Sequence, residues 1–261
     1  MLTGADLFAA LKWWAVLALL GLAATPLTLR LLRALPDRGY AFTKMVGLLM
    51  VGFIFWLLGS LGFLNNSSGG ILLSILILVM LSALAAAKLG RQSEAGERPK
   101  EPILGWLREH WRYVMIVELL FILIFFFWAW VRSQNPAIVA TEKPMEFAFL
   151  NSLSRSPAFP PLDPWLSGFG ISYYYFGYLM TSVLARLAAV PEQVAFNLAI
   201  AWLTAGTALG AFGLTYTRIA ADKSILRRWA VIFGLVAAIA LPLAGNLEIV
   251  LEVFRANQLA S

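Results

Sequence analysis

The sequence has no cysteine and a single histidine, His110, among 261 residues. The lack of cysteine excludes disulfides, thiolate metal ligands and a cysteine nucleophile. One histidine excludes a metal site that needs several histidines from this chain. Charged residues are also scarce, at 13% of the chain, whereas a soluble domain carries roughly 25%. The sequence signatures of phosphate-binding loops, dinucleotide-binding turns and serine nucleophile elbows are missing as well.

Hydrophobic residues make up 61% of the chain, and the mean hydropathy is +0.79. This composition predicts an integral, multi-pass protein of the cell membrane. The net charge of +6 does not indicate nucleic acid, because the basic residues stand mostly at the ends of apolar runs, where they contact lipid headgroups. Membrane lipids are therefore the expected partners, and nucleic acid is not.

About seven apolar runs reach the length of roughly 20 residues that crosses a bilayer. Because unpaired backbone groups cannot lie in lipid, these runs predict an all-α, polytopic transmembrane bundle of about seven spans. One long outer loop that contains an interfacial helix separates the fourth span from the fifth. The predicted spans cover approximately residues 7–32, 45–64, 71–89, 113–131, 171–189, 194–214 and 229–245.

Flanking charge predicts the orientation of these spans. The third link, residues 88–112, is basic, and so is the first link, which carries Arg30, Arg33, Arg38 and Lys44. The positive-inside bias places both links in the cytoplasm, so the uncharged turn 65–70 and the loop 132–170 face outward. Strict alternation of seven spans then puts the basic stretch 218–228 outside, against the bias. We therefore expect one late segment to be re-entrant or to lie in the interface.

The chain divides into three segments by this pattern. Residues 1–131 hold about four transmembrane helices, residues 132–170 form the outer loop, and residues 171–261 hold a tyrosine-bearing helix and the helices after it. We expect the chain to be part of a longer membrane protein, or to pair with a further transmembrane domain or subunit.

Three features inside the predicted spans stand out. Gly206 and Gly210 form a GxxxG pair, which favours close helix packing. Glu118 is an acid inside the fourth run, and such an acid is a functional candidate unless it simply reaches water near the cytoplasmic end. Asn197 is a candidate for a hydrogen bond between helices.

The outer loop holds two carboxylates four residues apart, Glu142 and Glu146. A helix that starts at Pro144 places Glu146 in its first turn, near the positive end of the helix dipole, and Glu142 just before it. Carboxylates that converge there can act as a general base or bind a divalent cation such as Mg²⁺ or Mn²⁺. The simpler alternative is that acids favour helix N-termini and pair with a neighbour such as Lys143.

The loop continues with a short apolar segment and a proline-rich turn. Residues 147–153 are too few to span a membrane, so they are expected to lie along the interface. Asp163 before Pro164 is typical of a helix N-cap, and a catalytic Asp163 is the alternative interpretation. Trp165 suits a membrane-interface anchor. We include both Asp163 and Trp165 in the predicted substrate site.

Three consecutive tyrosines, Tyr173, Tyr174 and Tyr175, open the fifth predicted span. On a helix they cannot share one face, because each residue turns about 100°. Tyrosines at the interface usually form an aromatic belt, although their hydroxyls can also bind phosphate or sugar oxygens. A phosphate-bearing substrate needs cationic partners, for which Lys143 and Arg155 are candidates.

The segment TEKPMEFAFLNSLSRSPAFPPLDPWLSGFGISYYYFGYLM, residues 141–180, closely resembles the hallmark of the uncharacterised YYY membrane-protein family of Chloroflexi and archaea (the Chlor_Arch_YYY domain, a domain of unknown function). The resemblance rests on the acidic-proline start, FAFLN, PPLDPW and the triple tyrosine. The flanking helices are similar only in hydropathy. That family is similar in layout to the multi-spanning glycosyltransferases of the GT-C type, which use lipid-phosphate sugar donors.

In GT-C enzymes the first large outer loop carries an essential acid, then an interfacial helix and a proline-rich turn. By position, the resemblance implies that Glu142 or Glu146 is the acid and that Lys143 and residues 173–175 contact a polyprenyl-phosphate sugar donor or the acceptor. The usual layout has one helix before this loop, whereas about four are predicted here. The leading hypothesis is a GT-C-like glycosyltransferase module at the outer membrane face. The alternative is a non-enzymatic membrane subunit or a transporter, and a transporter should carry mid-membrane polar residues.

Overall fold

The computed structural model describes residues 3–91, 103–222, 224–244 and 254–255, with the side chains of residues 88–91 excepted. Within these residues the structure has helices and one isolated β-bridge, Leu162–Gly170, but no strand. The predicted all-α polytopic bundle is confirmed. The helices are α1 (Gly4–Leu31), α2 (Thr43–Ser60), α3 (Ser68–Arg91), α4 (Ile103–Glu109), α5 (Trp111–Gln134), α6 (Lys143–Arg155), α7 (Phe176–Ala188), α8 (Glu192–Ala220) and α9 (Arg227–Ala244).

Six of the described helices are long and apolar enough to cross a membrane, namely α1, α2 with its preceding 3-10 turn, α3, α5, α8 and α9. This agrees with a multi-pass membrane protein. The fifth predicted span, residues 171–189, is not one of them. Residues 171–175 are not helical, and α7 has only 13 residues. Such a helix is about 20 Å long, whereas the hydrocarbon core is about 30 Å thick.

Local chemistry ends α7 early. Ala189 adopts the left-handed conformation, with φ +49°, and the amide of Val190 donates to the carbonyl of Ala185 at 2.9 Å. This pairing is typical of a helix C-terminus. Pro191 follows, and it prevents any continuation of the same helix while it serves as the N-cap residue of α8. The chain therefore reverses within a few residues between α7 and α8.

Contacts between helix termini define two ends of the bundle. At one end, which we call the loop end, Lys12 Nζ near the start of α1 donates to the carbonyl of Ala189 at 2.9 Å. At the opposite, basic end, the buried carboxylate of Asp37 accepts hydrogen bonds from Tyr113 Oη at 2.7 Å and Thr217 Oγ1 at 3.1 Å. Asp37 thus joins the link between α1 and α2 to the start of α5 and the last turns of α8.

The six long helices alternate between these ends, and α7 stays on the loop side. The α1–α2, α3–α5 and α8–α9 links then all lie at the basic end, including Arg218, Arg227 and Arg228. With seven spans, the basic stretch 218–228 was predicted to lie outside, against the positive-inside bias. With six spans, all three basic links lie on the same side and agree with that bias. Lys223, which belongs to the same stretch, lies outside the described residues.

Close helix packing occurs where small residues meet a neighbour's backbone or ring. A Cβ added at Gly47 of α2 would collide with the carbonyl oxygen of Leu20 in α1, and one at Gly234 would meet the ring of Phe212 at 2.9 Å. The predicted GxxxG contact is wrong, because a Cβ at Gly210 meets nothing within 4 Å and the three atoms nearest to one at Gly206 belong to Trp202 of its own helix. The GxxxG spacing therefore does not mark a helix crossing here.

The intramembrane acid Glu118 has a cation as its partner. Lys44 Nζ lies 2.6 Å from Glu118 Oε1 and 2.7 Å from Oε2, and Tyr40 Oη donates to the same carboxylate at 3.1 Å. The Lys44 side chain is 4% exposed and that of Glu118 is 29% exposed. The sequence placed Lys44 in a link and left Glu118 as either a functional candidate or an acid that reaches water. In the structure the two residues join α2 to α5 in the half of the bundle near the basic end.

The six-span orientation can be checked with single cysteines, because the native sequence has none. Ser167→Cys lies in the exposed turn at the loop end, and Ser224→Cys lies at the exposed basic end. We expect a membrane-impermeant maleimide to label Ser167→Cys in intact cells and Ser224→Cys only after permeabilisation. Equal labelling of both variants in intact cells would contradict the six-span arrangement.

The Lys44–Glu118 pair can be tested by thermal unfolding of purified protein in detergent. Lys44→Met leaves the Glu118 carboxylate partly buried without a cation, with only the Tyr40 hydroxyl as a donor, so we expect stability to fall by roughly 2–3 kcal/mol. Lys44→Met/Glu118→Leu should regain most of this loss, since it removes both charges. Arg112→Gln, an exposed change on α5, is the control and should have little effect. A Lys44→Met variant as stable as wild type would show that the Lys44–Glu118 pair does not stabilise the fold.

Candidate functional site

The two predicted acids lie at the start of α6. This helix begins at Lys143, with Pro144 in its first two positions and Glu146 in the first turn, so the predicted start at Pro144 is confirmed to within one residue. The side chain of Glu142 is exposed and that of Glu146 is half-buried. Both carboxylates therefore stand at the positive end of the α6 dipole, which stabilises negative charge.

α6 is a short amphipathic helix that packs one face onto the bundle. Phe149, Leu150 and Leu153 are at most 4% exposed, and Phe147 contacts the ring of Phe196 in α8 with centroids 6.0 Å apart. With 13 residues, the helix is about 20 Å long and cannot cross a bilayer. These features agree with the predicted interfacial helix.

A guanidinium fixes the far end of α6. Arg186 of α7 donates to the carbonyl of Leu153 at 3.0 Å and to Asn66 Oδ1 at 2.9 Å. Asn66 Nδ2 in turn donates to the carbonyls of Leu153 and Ser156, each at 2.7 Å. The α2–α3 turn, the end of α6 and the α7 helix are thus joined through carbonyls that have no helical partner of their own.

The proline-rich segment after α6 forms a tight turn. The amide of Ile171 donates to the carbonyl of Pro161, and that of Asp163 to the carbonyl of Phe169, each at 2.8 Å. Asp163 Oδ1 accepts from the amides of Trp165 and Leu166 at 2.8 and 2.9 Å. The capping bonds are therefore those predicted for Asp163, but no helix follows. The chain turns back at Gly168, where φ is +87°.

An aromatic cluster connects this turn to α6. The Phe149 ring contacts Trp165 at 5.5 Å, Tyr173 at 5.6 Å and Tyr178 at 5.7 Å between centroids. Tyr174 stacks against Tyr178 at 6.5 Å. The side chain of Trp165 is 62% exposed, which suits the predicted interface anchor. Rings on α6, on the turn and on α7 thus meet in one cluster.

The three consecutive tyrosines diverge. They precede α7 rather than lie within it, so they are free of the helical geometry assumed from sequence. Tyr173 and Tyr174 face each other, with a 2.9 Å hydrogen bond between their hydroxyls, whereas Tyr175 Oη accepts from Trp56 Nε1 at 2.9 Å. A groove of 350 Å³ runs between α2 and this motif, lined by Phe53, Trp56, Tyr173, Tyr174, Tyr175 and Phe176.

The acids and the tyrosine motif share one electrostatic environment. The Tyr174 hydroxyl, partial burial and the nearby negative charges of Glu142 and Glu146 raise the pKa of Tyr173 to about 12. Tyr178 Oη also approaches Glu146 Oε1 at 3.5 Å. Glu142 and Glu146 therefore lie close enough to the tyrosine motif to act on Tyr173 electrostatically, while the Tyr173 hydroxyl donates its proton to Tyr174 Oη.

Other predicted site residues do not join this group. Arg155 is exposed at the opposite end of α6, about 18 Å along the helix from Lys143. Lys143 is the predicted cation at the acid end. Asp163 already accepts two backbone amides. Within the part of the chain that the structure describes, no group of three or more acidic or imidazole side chains is arranged to hold a metal ion.

Three polar side chains near this region were not among the predicted site residues. Tyr178 approaches Glu146, Arg186 fixes the end of α6, and Arg132 at the end of α5 binds Asn197 Oδ1 in α8. The expectation that Asn197 bonds between helices is confirmed. A usable signal existed for Arg132, since a cation at the outward end of a span opposes the positive-inside bias and calls for a specific reason.

These features define the class of the protein: a polytopic helical membrane protein that gathers acids and tyrosines at one end of its bundle. Residues 50–261 match the family model described as Uncharacterized membrane protein (DUF2298), and the chain belongs to that family. The match includes α6, the proline-rich turn and the tyrosine motif. Comparisons with curated proteins and with solved structures gave no match.

Two substitutions test whether Asp163 holds the turn through its hydrogen bonds or through its charge. Asp163→Ala removes the acceptor for the Trp165 and Leu166 amides, so we expect limited proteolysis in the 162–170 turn to become several-fold faster. Asp163→Asn keeps an acceptor oxygen and loses the charge, so its digestion rate should stay close to wild type. If Asp163→Asn is digested as fast as Asp163→Ala, the charge rather than the hydrogen bonds holds the turn.

Proposed function

We propose that this protein is a GT-C-like membrane glycosyltransferase module, which transfers a sugar from a lipid-phosphate-linked donor at the loop end of the bundle. The observation that carries the proposal is the position of Glu146 at the start of α6, with its Oε1 3.5 Å from the Tyr178 hydroxyl and close to the aromatic groove that Tyr173 and Tyr174 line. Carboxylates next to aromatic side chains suit a sugar substrate, because the acids can take a hydroxyl proton and the rings can pack against the sugar.

The reaction needs one proton acceptor. As the acceptor hydroxyl attacks the sugar's anomeric carbon, a carboxylate of Glu146 or Glu142 takes its proton. The bond from that carbon to the phosphate oxygen breaks, and the lipid phosphate leaves with the electron pair. We assign Glu146 as the base, because it is half-buried beside the cluster whereas Glu142 is exposed. Tyr174 Oη accepts from Tyr173, so the Tyr174 hydroxyl keeps its own proton and can donate it to a substrate oxygen.

The surroundings of the acids support a substrate that stays in the membrane. Trp165 and Phe169 are each 62% exposed and Tyr174 is 64% exposed, although all three are large and apolar or aromatic. Such side chains at the end of a transmembrane bundle are typical of the lipid–water interface. A polyprenyl-phosphate donor could therefore enter the 350 Å³ groove from the bilayer without crossing water.

The departing phosphate requires positive charge nearby. Lys143, next to the acids, is the cation we assign to this role, and Arg155 is too far along α6 to share it without a rearrangement. A divalent cation, Mg²⁺ or Mn²⁺, is a further candidate. Glu142 and Glu146 would supply two of its oxygen ligands, and water and the donor phosphate would supply the rest.

A transporter or a non-enzymatic membrane subunit is the second candidate. The Lys44–Glu118 pair favours transport, because ionisable residues inside a membrane often mark a pathway. It borders a cavity of 200 Å³ near the basic end of the bundle. However, these two groups are opposite in charge and held by direct hydrogen bonds, which also suits a purely structural pair.

The glycosyltransferase proposal predicts the effect of removing one charge from the acid pair. Glu146→Gln keeps the shape of the side chain but cannot accept a proton, so sugar transfer should fall by about 100-fold or more. The measurement is incorporation of labelled sugar from polyprenyl-phosphate mannose or glucose by purified protein in liposomes. Glu142→Gln should reduce transfer less if Glu146 is the base.

Glu109→Gln is the matched control, since it removes a carboxylate at the basic end and should leave transfer unchanged. Normal insertion and thermal stability of Glu146→Gln would separate lost chemistry from lost folding. Transfer that survives in Glu142→Gln/Glu146→Gln at the wild-type rate would rule out the acids as the catalytic groups. Thermal stabilisation by EDTA-sensitive Mg²⁺ or Mn²⁺ binding in wild type, absent from this double variant, would support the metal assignment.

A further inference from the structure

A second large cavity lies at the loop end, between α1, α5 and α8. It encloses 620 Å³ and shares no lining residue with α6 or the tyrosine motif. Its apolar part includes Phe126, Ala129 and Trp130, and its polar rim includes Asp6, Arg132 and Asn197. An apolar pocket with a polar rim at the end of a transmembrane bundle matches the division of a membrane lipid into chains and headgroup.

The cation on this rim is held in place but not neutralised. Arg132 Nε and Nη2 donate to Asn197 Oδ1 at 3.1 and 2.5 Å, and Asn197 Nδ2 donates to the carbonyls of Pro136 and Gln193. Among the described residues, no carboxylate lies within 4.0 Å of Arg132. A fixed guanidinium with spare donors is well suited to bind a phosphate.

The anion on the rim is Asp6, which is separated from Arg132. Asp6 Oδ2 accepts from the amide and the hydroxyl of Thr3 at 3.0 and 2.7 Å in a capping box at the start of α1. Its other carboxylate oxygen has no such partner among the described residues and remains able to accept. The rim therefore offers one positive and one negative group, which is the charge pattern complementary to a zwitterionic headgroup.

We propose that this cavity binds a phospholipid with a primary ammonium headgroup, as in phosphatidylethanolamine. The lipid phosphate contacts Arg132, the ammonium donates to Asp6, and an acyl chain lies against Phe126, Ala129 and Trp130. This site goes beyond the proposed sugar transfer, and it does not depend on that reaction because none of its residues belongs to the acid and tyrosine group.

The test is native mass spectrometry of the purified full-length chain, titrated with phosphatidylethanolamine, phosphatidylglycerol or phosphatidylcholine of identical acyl chains. Wild type should bind phosphatidylethanolamine several-fold more tightly than the other two. Arg132→Gln should weaken phosphatidylethanolamine binding by about tenfold, because it removes a charge-assisted contact to phosphate. Arg132→Lys should retain most of the binding.

Asp6→Asn separates the two headgroup contacts, because it keeps a capping oxygen and removes the charge. It should abolish the preference for phosphatidylethanolamine over phosphatidylglycerol while the phosphate contact persists. Arg155→Gln removes an exposed cation at the same end of the bundle and should leave lipid binding unchanged. If wild type does not discriminate among the three lipids, or if Arg132→Gln binds as wild type does, the proposal is wrong.

Two further measurements keep the proposal testable if Arg132→Gln does not fold. Ala129→Trp leaves the rim intact and fills the apolar part, so it should weaken lipid binding several-fold. Unchanged binding by this variant would contradict an acyl chain in the cavity. Soluble glycerophosphoethanolamine, which has the headgroup alone, should compete poorly. Competition at the same concentration as the lipid would show a headgroup site only and overturn the assignment to a membrane lipid.

Discussion

The length of α7 is the constraint on which the rest of the structure depends. Thirteen residues give a helix of about 20 Å, and a bilayer core of about 30 Å cannot be crossed by it. The chain must therefore return to the side from which it came, and it does so at the left-handed Ala189. As a result, α5 ends and α8 begins at the same end of the bundle. The interfacial helix, the proline-rich turn and the tyrosine motif between them are held together there.

The same constraint explains a charged residue on an apolar helix. Arg186 would oppose membrane crossing if α7 were a span, but at the loop end it can donate to the carbonyls of Leu153 and Asn66. Those carbonyls lie at a helix C-terminus and in a turn, where the backbone lacks internal partners. The cation also lies at the negative end of the α6 dipole. One side chain thus keeps α7 at the loop end and holds α6 in position.

Sequence was informative where structure follows from local chemistry. Pro144 correctly predicted the start of α6, and Asp163 was correctly predicted to accept hydrogen bonds from the backbone amides that follow it. Prediction from sequence failed where the local structure depends on contacts between segments that are distant in the chain. The helix expected at Pro164 is a turn because Ile171 pairs with Pro161, and no local pattern reveals that pairing. The Lys44–Glu118 pair also joins residues far apart in the chain, so composition alone could not connect them.

Basic residues at the loop end oppose the positive-inside bias, so the presence of each one there needs a physical explanation. Lys12 donates to the carbonyl of Ala189, and Arg186 donates to that of Leu153, so both satisfy backbone at helix ends. Arg132 differs, because its described partner is the neutral side chain of Asn197 and its charge faces a cavity. Folding accounts for the first two cations. The phosphate of the proposed lipid would account for the third, since no described carboxylate lies within 4.0 Å of Arg132 to compensate its charge.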